Sequence, residues 1–126
     1  MKSSDIIYNL RPKQEVAEDL QSGVVPPEIE EAQHLLSKTN SEVEIVTKKI
    51  QEILNRLIKH SDLNVKIADI RIANNSQVNA MVVRSNKGPI LFLNSGLLTS
   101  VKSEDELAGV LAHELSHFVM RKKVDH

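Results

Sequence analysis

The spacing of apolar residues predicts a long amphipathic helix from about residue 42 to residue 60. Apolar side chains recur there every three or four positions, which places them on one face of a helix. Ser41 and Glu44 have the spacing of a capping box and indicate where this helix begins. We expect the apolar face to back a sheet. Its residues are Val43, Val46, Ile50, Ile53, Leu54, Leu57 and Ile58.

A second amphipathic helix is predicted near the C-terminus. Ser103 and Glu106 form another capping box, and Glu104 and Asp105 place negative charge at the positive end of the helix dipole. An apolar stripe follows at helical spacing and predicts that one face of this helix is buried. The stripe consists of Leu107, Val110, Leu111, Leu115 and Phe118.

Between the two helices, alternating apolar positions predict three strands. Residues 79–84 and 89–94 read as a hairpin closed around residues 85–88. The first strand carries two apolar pairs on opposite faces, which implies a bulge near residue 68. A backing helix, a small twisted three-stranded sheet and a second helix make an α+β domain over residues 41–126. The two pairs are Val65 with Ile67 and Ile70 with Ile72.

Residues 1–40 are expected to form a helical N-terminal extension, separate from the domain over residues 41–126. A short helix is predicted over residues 14–21 and is ended by Gly23. Pro27 suits the first turn of another helix, which runs from residue 28 to about residue 37. We favour a peripheral role for this extension. The alternative is a pro-segment or gate that lies over an active-site cleft.

The composition narrows the function classes. A chain of 126 residues is long enough for one domain with a buried core. A net charge of −1, one tyrosine and two phenylalanines give no basis for nucleic-acid binding. Since the chain has no cysteine, disulfides and thiolate ligands are excluded. Any metal would therefore be bound by His, Asp or Glu.

The hydropathy of the chain bears on membrane insertion and on the cellular compartment of the protein. No apolar run approaches the ~20 residues that span a bilayer, so we expect no membrane span in this chain. The first residues lack the apolar region of a signal peptide, and the expected location is the cytoplasm. The periplasm is the alternative, if a signal peptide was removed.

The second predicted helix carries a metal-binding pattern. His113 and His117 lie four residues apart, so their imidazoles project from the same face. With Glu114 between them, they form the HExxH pattern, in which two histidines bind one zinc ion per chain and the glutamate is the general base. The base would take a proton from a zinc-activated water that attacks a peptide carbonyl. His34 and His60 are expected to be surface side chains.

Three segments of the chain carry a family resemblance. They are Asn79-Ala80-Met81, Leu93-Asn94-Ser95-Gly96-Leu97-Leu98 and the segment from Glu104 to His117. In this order they resemble the HtpX-like and CAAX prenyl protease metallopeptidases, which belong to the gluzincins. The resemblance covers roughly residues 41–120 and implies a zincin-like fold with the activity of a zinc metalloendopeptidase.

The resemblance also implies a substrate-binding strand. In gluzincins a strand with an Asn-Ala pair forms the upper rim of the cleft, and its edge pairs with the substrate. Asn79, Ala80 and Met81 are therefore expected to bind an extended peptide or unfolded protein by β-augmentation. Proline at Met81 would weaken that binding if the N–H of Met81 faces the groove. The alternative is an ordinary strand whose asparagine caps a turn.

In the family the third zinc ligand is a glutamate on a later helix, and only nine residues follow His117. Asp125 and His126 are the candidates left in this tail. We therefore expect the chain to lack its own third ligand and the C-terminal subdomain that carries it, and to cleave slowly or undetectably. Two alternatives stay open: a non-catalytic peptide-binding module on a peptidase-like scaffold, and a two-histidine site that binds another divalent metal for structural reasons.

Overall fold

The computed structural model describes residues 21–61 and 63–124, together with Glu15, Glu18 and Asp19. These residues form an α+β fold with a small mixed sheet, as the sequence predicts. The helices are α1 (Pro27–Ala32), α2 (Ser41–Lys59), α3 (Ser95–Ser100) and α4 (Glu104–Val124). The strands are β1 (Asp69–Ala73), β2 (Ala80–Val83) and β3 (Ile90–Asn94).

The strand order is β1–β3–β2, so β3 is the central strand. β1 pairs with β3 in parallel. β2 and β3 form the predicted antiparallel hairpin, with Ala80 opposite Leu93. The Gly88 N–H closes the turn by donating to the Ser85 carbonyl at 3.1 Å. Gly88 has a φ of 124°, which glycine adopts without the strain that a Cβ would cause.

The core lies between one face of the sheet and the two long helices. α2 contacts β1, α4 contacts β2, and the two helices contact each other. Their predicted apolar faces are the ones turned inward, except that Val46 is exposed. The core consists of Val43, Ile50, Ile53 and Leu54 from α2; Ile70, Ile72, Val82, Leu91 and Leu93 from the sheet; and Leu107, Leu111, Leu115 and Phe118 from α4, with Ile67 and Leu97.

α2 is capped by Asn40, so the predicted capping box at Ser41 and Glu44 is wrong. The Asn40 Oδ1 accepts hydrogen bonds from the N–H groups of Glu42 at 3.0 Å and Val43 at 3.3 Å. Asparagine and serine cap helices about equally well, so either of two adjacent residues satisfies the sequence rule. The backbone geometry places the cap one residue earlier than predicted.

β1 begins only at Asp69, and the predicted bulge beside it is wrong. Ile67 reaches the same core as Ile70 and Ile72. It does so because the backbone before Asp69 is not in a strand, and its side chains therefore need not alternate in phase with those of β1.

The helical segment before α1 ends at Gly23, as predicted. Gly23 has a φ of 93°, and the Val24 N–H donates to the Asp19 carbonyl at 2.9 Å. Part of the helix predicted over residues 14–21 lies outside the described residues, and the described positions within it are helical.

α1 has Pro27 in its first turn, as predicted, but it ends at Ala32 and not near residue 37. His34 follows with a φ of 54°, a left-handed value that is uncommon for any residue but glycine or asparagine. Its side chain is exposed, as expected. A complete Schellman motif ends the helix, with a histidine at the position where glycine is usual. Its bonds run from the Leu35 N–H to the Glu30 carbonyl (2.7 Å) and from the His34 N–H to the Glu31 carbonyl (3.1 Å).

The chain after α1 runs along the outer edge of β1. Leu35 forms an antiparallel bridge with Ala73. On the same strand, Arg71 is only 5% exposed, and its Nη1 forms an ion pair with the Glu30 carboxylate at 2.9 Å. Residues 30–36 therefore cover this edge of the sheet and neutralise a buried charge.

The longest helix, α4, has 21 residues, and its first turn carries three acidic residues. Among the residues that the structure describes, no helix combines the length and the apolar composition that crossing a membrane requires.

Candidate metal centre

The start of α4 is fixed by side-chain capping. The Ser103 Oγ accepts a hydrogen bond from the Glu106 N–H at 3.1 Å, as the predicted capping box requires. The Glu106 carboxylate accepts in return from the N–H of Lys102, one residue before the cap, at 3.1 Å. This anchoring at the first turn sets the rotational phase of every residue that follows.

That phase turns the two histidines away from the core. Leu111 and Leu115 are 0% and 1% exposed. His113 and His117 each come two residues later, about 200° around the helix. Both are exposed. The same burial that fixes the helix therefore presents both imidazoles on its open side.

The two imidazoles converge. The Nε2 atoms of His113 and His117 lie 2.9 Å apart, and the ring centroids are separated by 4.4 Å with the planes inclined at 77°. Zn–N bonds measure about 2.0–2.1 Å, so one ion can reach both nitrogens. Imidazole nitrogens also suit zinc chemically. The two residues therefore fit a shared metal ion.

Glu114 lies between the histidines in sequence and is half-buried at the edge of the apolar stripe. Within residues 21–61 and 63–124, no third His, Asp or Glu joins the pair to form a metal-binding group of three. Asp125 and His126, the candidates in the tail, lie outside the described residues. The expectation that the chain lacks its own third ligand therefore stays a prediction.

β2, which carries Ala80 and Met81, is an edge strand that pairs with β3 alone among the described strands. The Asn94 N–H donates to the Asn79 carbonyl at 3.0 Å, which extends the β2–β3 register by one bonded pair. Bonded and non-bonded pairs alternate along antiparallel strands. Met81 therefore directs its backbone groups towards Phe92 of β3, and Ala80 directs its own outward.

The hydrogen-bond register of β2 and β3 shows that Met81 is the wrong position for a proline substitution that is meant to test peptide binding. Proline at Met81 would remove a hydrogen bond inside the sheet and not one to a bound peptide. The outward N–H, that of Ala80, already donates to the Asn79 side-chain oxygen at 2.9 Å. The Asn79 carboxamide thus covers the first donor that a peptide beside β2 would meet.

The loop before β2 is held by the first residues of α3, a role that the sequence analysis missed. The Ser95 Oγ both donates to the Asn75 carbonyl and accepts from the Asn75 N–H, each at 3.1 Å. The Gly96 N–H donates to the same carbonyl at 2.8 Å. A Cβ at Gly96 would overlap the carbonyl of Ser76. A Ser-Gly pair that follows a strand directly is the signal that could have indicated this close contact.

Ionic and aromatic contacts hold α4 against its neighbours. The Glu104 carboxylate lies 2.7 Å from the Lys49 Nζ and 3.5 Å from the Arg56 Nη2, both on α2. The hydrogen bond from Lys49 is the largest of the effects that lower the pKa of Glu104. Arg84 directly follows β2, and its guanidinium lies 5.7 Å from the centroid of the Phe118 ring. Phe118 is the residue after His117.

Comparison with known proteins agrees with the motif order. None of the curated proteins gives a significant match to the chain. Residues 44–125, about two thirds of the chain, match the model of Peptidase family M48. This range contains α4 with its histidine pair and the strand that carries Ala80. It confirms the resemblance to the HtpX-like and CAAX prenyl protease metallopeptidases. The chain belongs to peptidase family M48.

Proposed function

We propose that this chain is a zincin-type zinc metalloendopeptidase domain, in which His113 and His117 bind the metal and Glu114 is the general base. The observation that carries the proposal is the 2.9 Å separation of the two Nε2 atoms on the exposed side of a capped, buried helix. Membership of a metallopeptidase family supports it. Adjacent imidazoles on an open helix face are accessible to both a metal ion and a substrate.

When bound, zinc supplies the Lewis acidity that makes water a nucleophile near neutral pH. Glu114 takes the proton of that water on a carboxylate oxygen as the water attacks the peptide carbonyl. The same oxygen then gives the proton to the nitrogen of the leaving amine.

The substrate proposed is an extended peptide or an unfolded protein, bound beside Asn79, Ala80 and Met81. An edge strand supports this, since backbone groups turned outward from a sheet bind extended chains without reading their sequence. Ala80 is the residue whose backbone points outward. The Asn79 side chain would have to turn aside for the Ala80 N–H to reach a substrate carbonyl.

The test is the substitution Glu114→Gln, with Glu44→Gln as the control on the exposed face of α2. We expect Glu114→Gln to keep its zinc and to lose at least about 100-fold in hydrolysis of an unstructured fluorogenic peptide. The control should match the parent in both measurements. Measurable cleavage that is equal in the parent and Glu114→Gln would show that Glu114 is not the base. A parent that binds zinc and peptide without cleaving would favour the non-catalytic peptide-binding module.

A further inference from the structure

A cavity of about 290 Å³ lies on the face of the sheet that is turned away from α2 and α4. Met81, Val83 and Phe92 line it, and they alternate along their strands with the core residues of the opposite face. Ile29 and Leu35, from α1 and the segment after it, also line it. The cavity is therefore separate from the face on which α4 packs.

The lining of this cavity is neutral. Among the described residues that line it there is no Asp, Glu, Lys, Arg or His. Seven of its lining residues have apolar side chains, and five carry carboxamides. A charged group placed inside would lose its hydration without gaining a partner of opposite charge. The carboxamides are those of Gln33, Asn75, Gln77, Asn79 and Asn94.

The cavity is continuous with the residues assigned to peptide binding. Asn79, Ala80 and Met81 all contribute to its lining. Met81 is 51% exposed and lies on the edge strand β2. Methionine is flexible and polarisable, so it adapts to apolar groups of different shape.

A peptide that extends the sheet next to β2 sends successive side chains to opposite faces. One set points towards the face covered by α4, and the alternate set points towards the cavity. Directly opposed residues on neighbouring strands have Cβ atoms about 4.5–5.5 Å apart, which brings a side chain opposite Met81 within reach of the cavity.

We propose that this cavity is a specificity pocket for an uncharged, apolar side chain of the bound peptide, on the face of the sheet opposite the histidine pair. The inference rests on the proposed function, because it requires a peptide beside β2. Leu, Met and Phe are the side chains that its lining favours. Asp, Glu, Lys and Arg are excluded by the absence of a charged partner in the lining described above.

The test measures binding, not turnover. Zinc-loaded Glu114→Gln protein is titrated into labelled unstructured peptides that differ at one position at a time, with Leu, Gly or Asp there, and fluorescence anisotropy gives the affinity. We expect Leu to bind about tenfold or more tightly than Gly at one position, the one that lies opposite Met81, and Asp to bind most weakly there. The positions on either side of it send their side chains to the other face of the sheet and should show no such preference.

Val83→Trp, added to this protein, should fill the cavity and remove the preference for Leu over Gly. Ile45→Trp is the matched control, because Ile45 is 70% exposed on α2 and does not line the cavity. Phe92→Leu is a second variant that enlarges the cavity and should shift the preference from Leu towards Phe. Thermal unfolding of each variant confirms that the fold is retained.

The outcomes separate the two proposals. If Val83→Trp and Phe92→Leu both keep the parent's preference, the pocket assignment is wrong, even when the parent cleaves peptides. If the preference is confined to one position and Val83→Trp removes it, the assignment stands, even when no form of the protein cleaves. Absence of any peptide binding by the zinc-loaded protein would overturn both.

Discussion

The Nε2 atoms of His113 and His117 lie 2.9 Å apart on the exposed side of α4. We predict that His113→Ala abolishes stoichiometric zinc binding, because a single imidazole leaves the ion with one protein donor from this helix. Elemental analysis of purified protein after dialysis measures the zinc content. His60→Ala is the control, since His60 is an exposed residue at the end of α2. Zinc content that stays at the parent's level in His113→Ala would refute the site.

Two glycines provide a matched pair for stability. We predict that Gly96→Ala lowers the free energy of unfolding by about 1–3 kcal/mol, because the new Cβ overlaps the backbone of Ser76. Gly109→Ala should raise it by about 0.5–1 kcal/mol, because Gly109 lies inside α4 and a Cβ there meets nothing within 4 Å. Urea unfolding measures both. The same sign of change for the two substitutions would contradict the contact between α3 and the loop before β2.

His34 offers a stabilising substitution. His34→Gly should raise the free energy of unfolding by up to about 1 kcal/mol, because the φ of 54° costs an L-residue about 1–2 kcal/mol and glycine adds only about 0.5–1 kcal/mol of unfolded-chain entropy. His60→Gly is the control. His60 has a φ of −98°, so glycine there only increases the entropy of the unfolded chain and should destabilise. A loss of stability in His34→Gly would mean that the side chain contributes more than its strained backbone costs.

The pH dependence of one ion-pair cluster can be assigned. Lys49, and with it Arg56, holds the pKa of Glu104 below its ordinary value of 4.5. The stability that this carboxylate contributes is therefore present above pH 4.5 and is lost as the pH falls through its lowered pKa in the folded protein. We predict that Glu104→Gln is less stable than the parent at pH 7, and that the difference vanishes in acid. Melting temperatures of both proteins from pH 7 to pH 2.5 test this. A difference that persists at the lowest pH would point to another cause.

The sequence predicted the parts of the fold that local chemistry determines. α4 is the clearest case, because its cap and apolar stripe together fix the helix start and the direction of His113 and His117. The cap and the apolar stripe are both local in sequence, and both predict the same helix. The same holds for the hairpin turn, where Gly88 is the one residue suited to the φ that the turn requires.

Prediction failed where the decisive partner is distant in sequence or where two residues satisfy one rule. Asn40 and Ser41 are both good caps, and the rule does not choose between them. His34 ends α1 with a positive φ, a conformation that usually requires glycine. Because no glycine stands there, the sequence did not indicate that the helix ends at this point. Either Ala80 or Met81 turns its backbone N–H and C=O outward, and which one does so depends on which pairs of residues on β2 and β3 are hydrogen-bonded. Residue spacing alone does not reveal that pattern.

The strand order β1–β3–β2 has a consequence for folding kinetics. β2 and β3 are joined by a short turn and can pair at once, whereas β1 pairs with β3 across a separation of 21 positions, from Asp69 to Ile90. Closing the larger loop costs more entropy, so the hairpin should form first and present β3 as the template for β1. We therefore expect Gly88 to affect the rate of folding as well as the shape of the turn. A side chain at that position would slow assembly of the whole sheet.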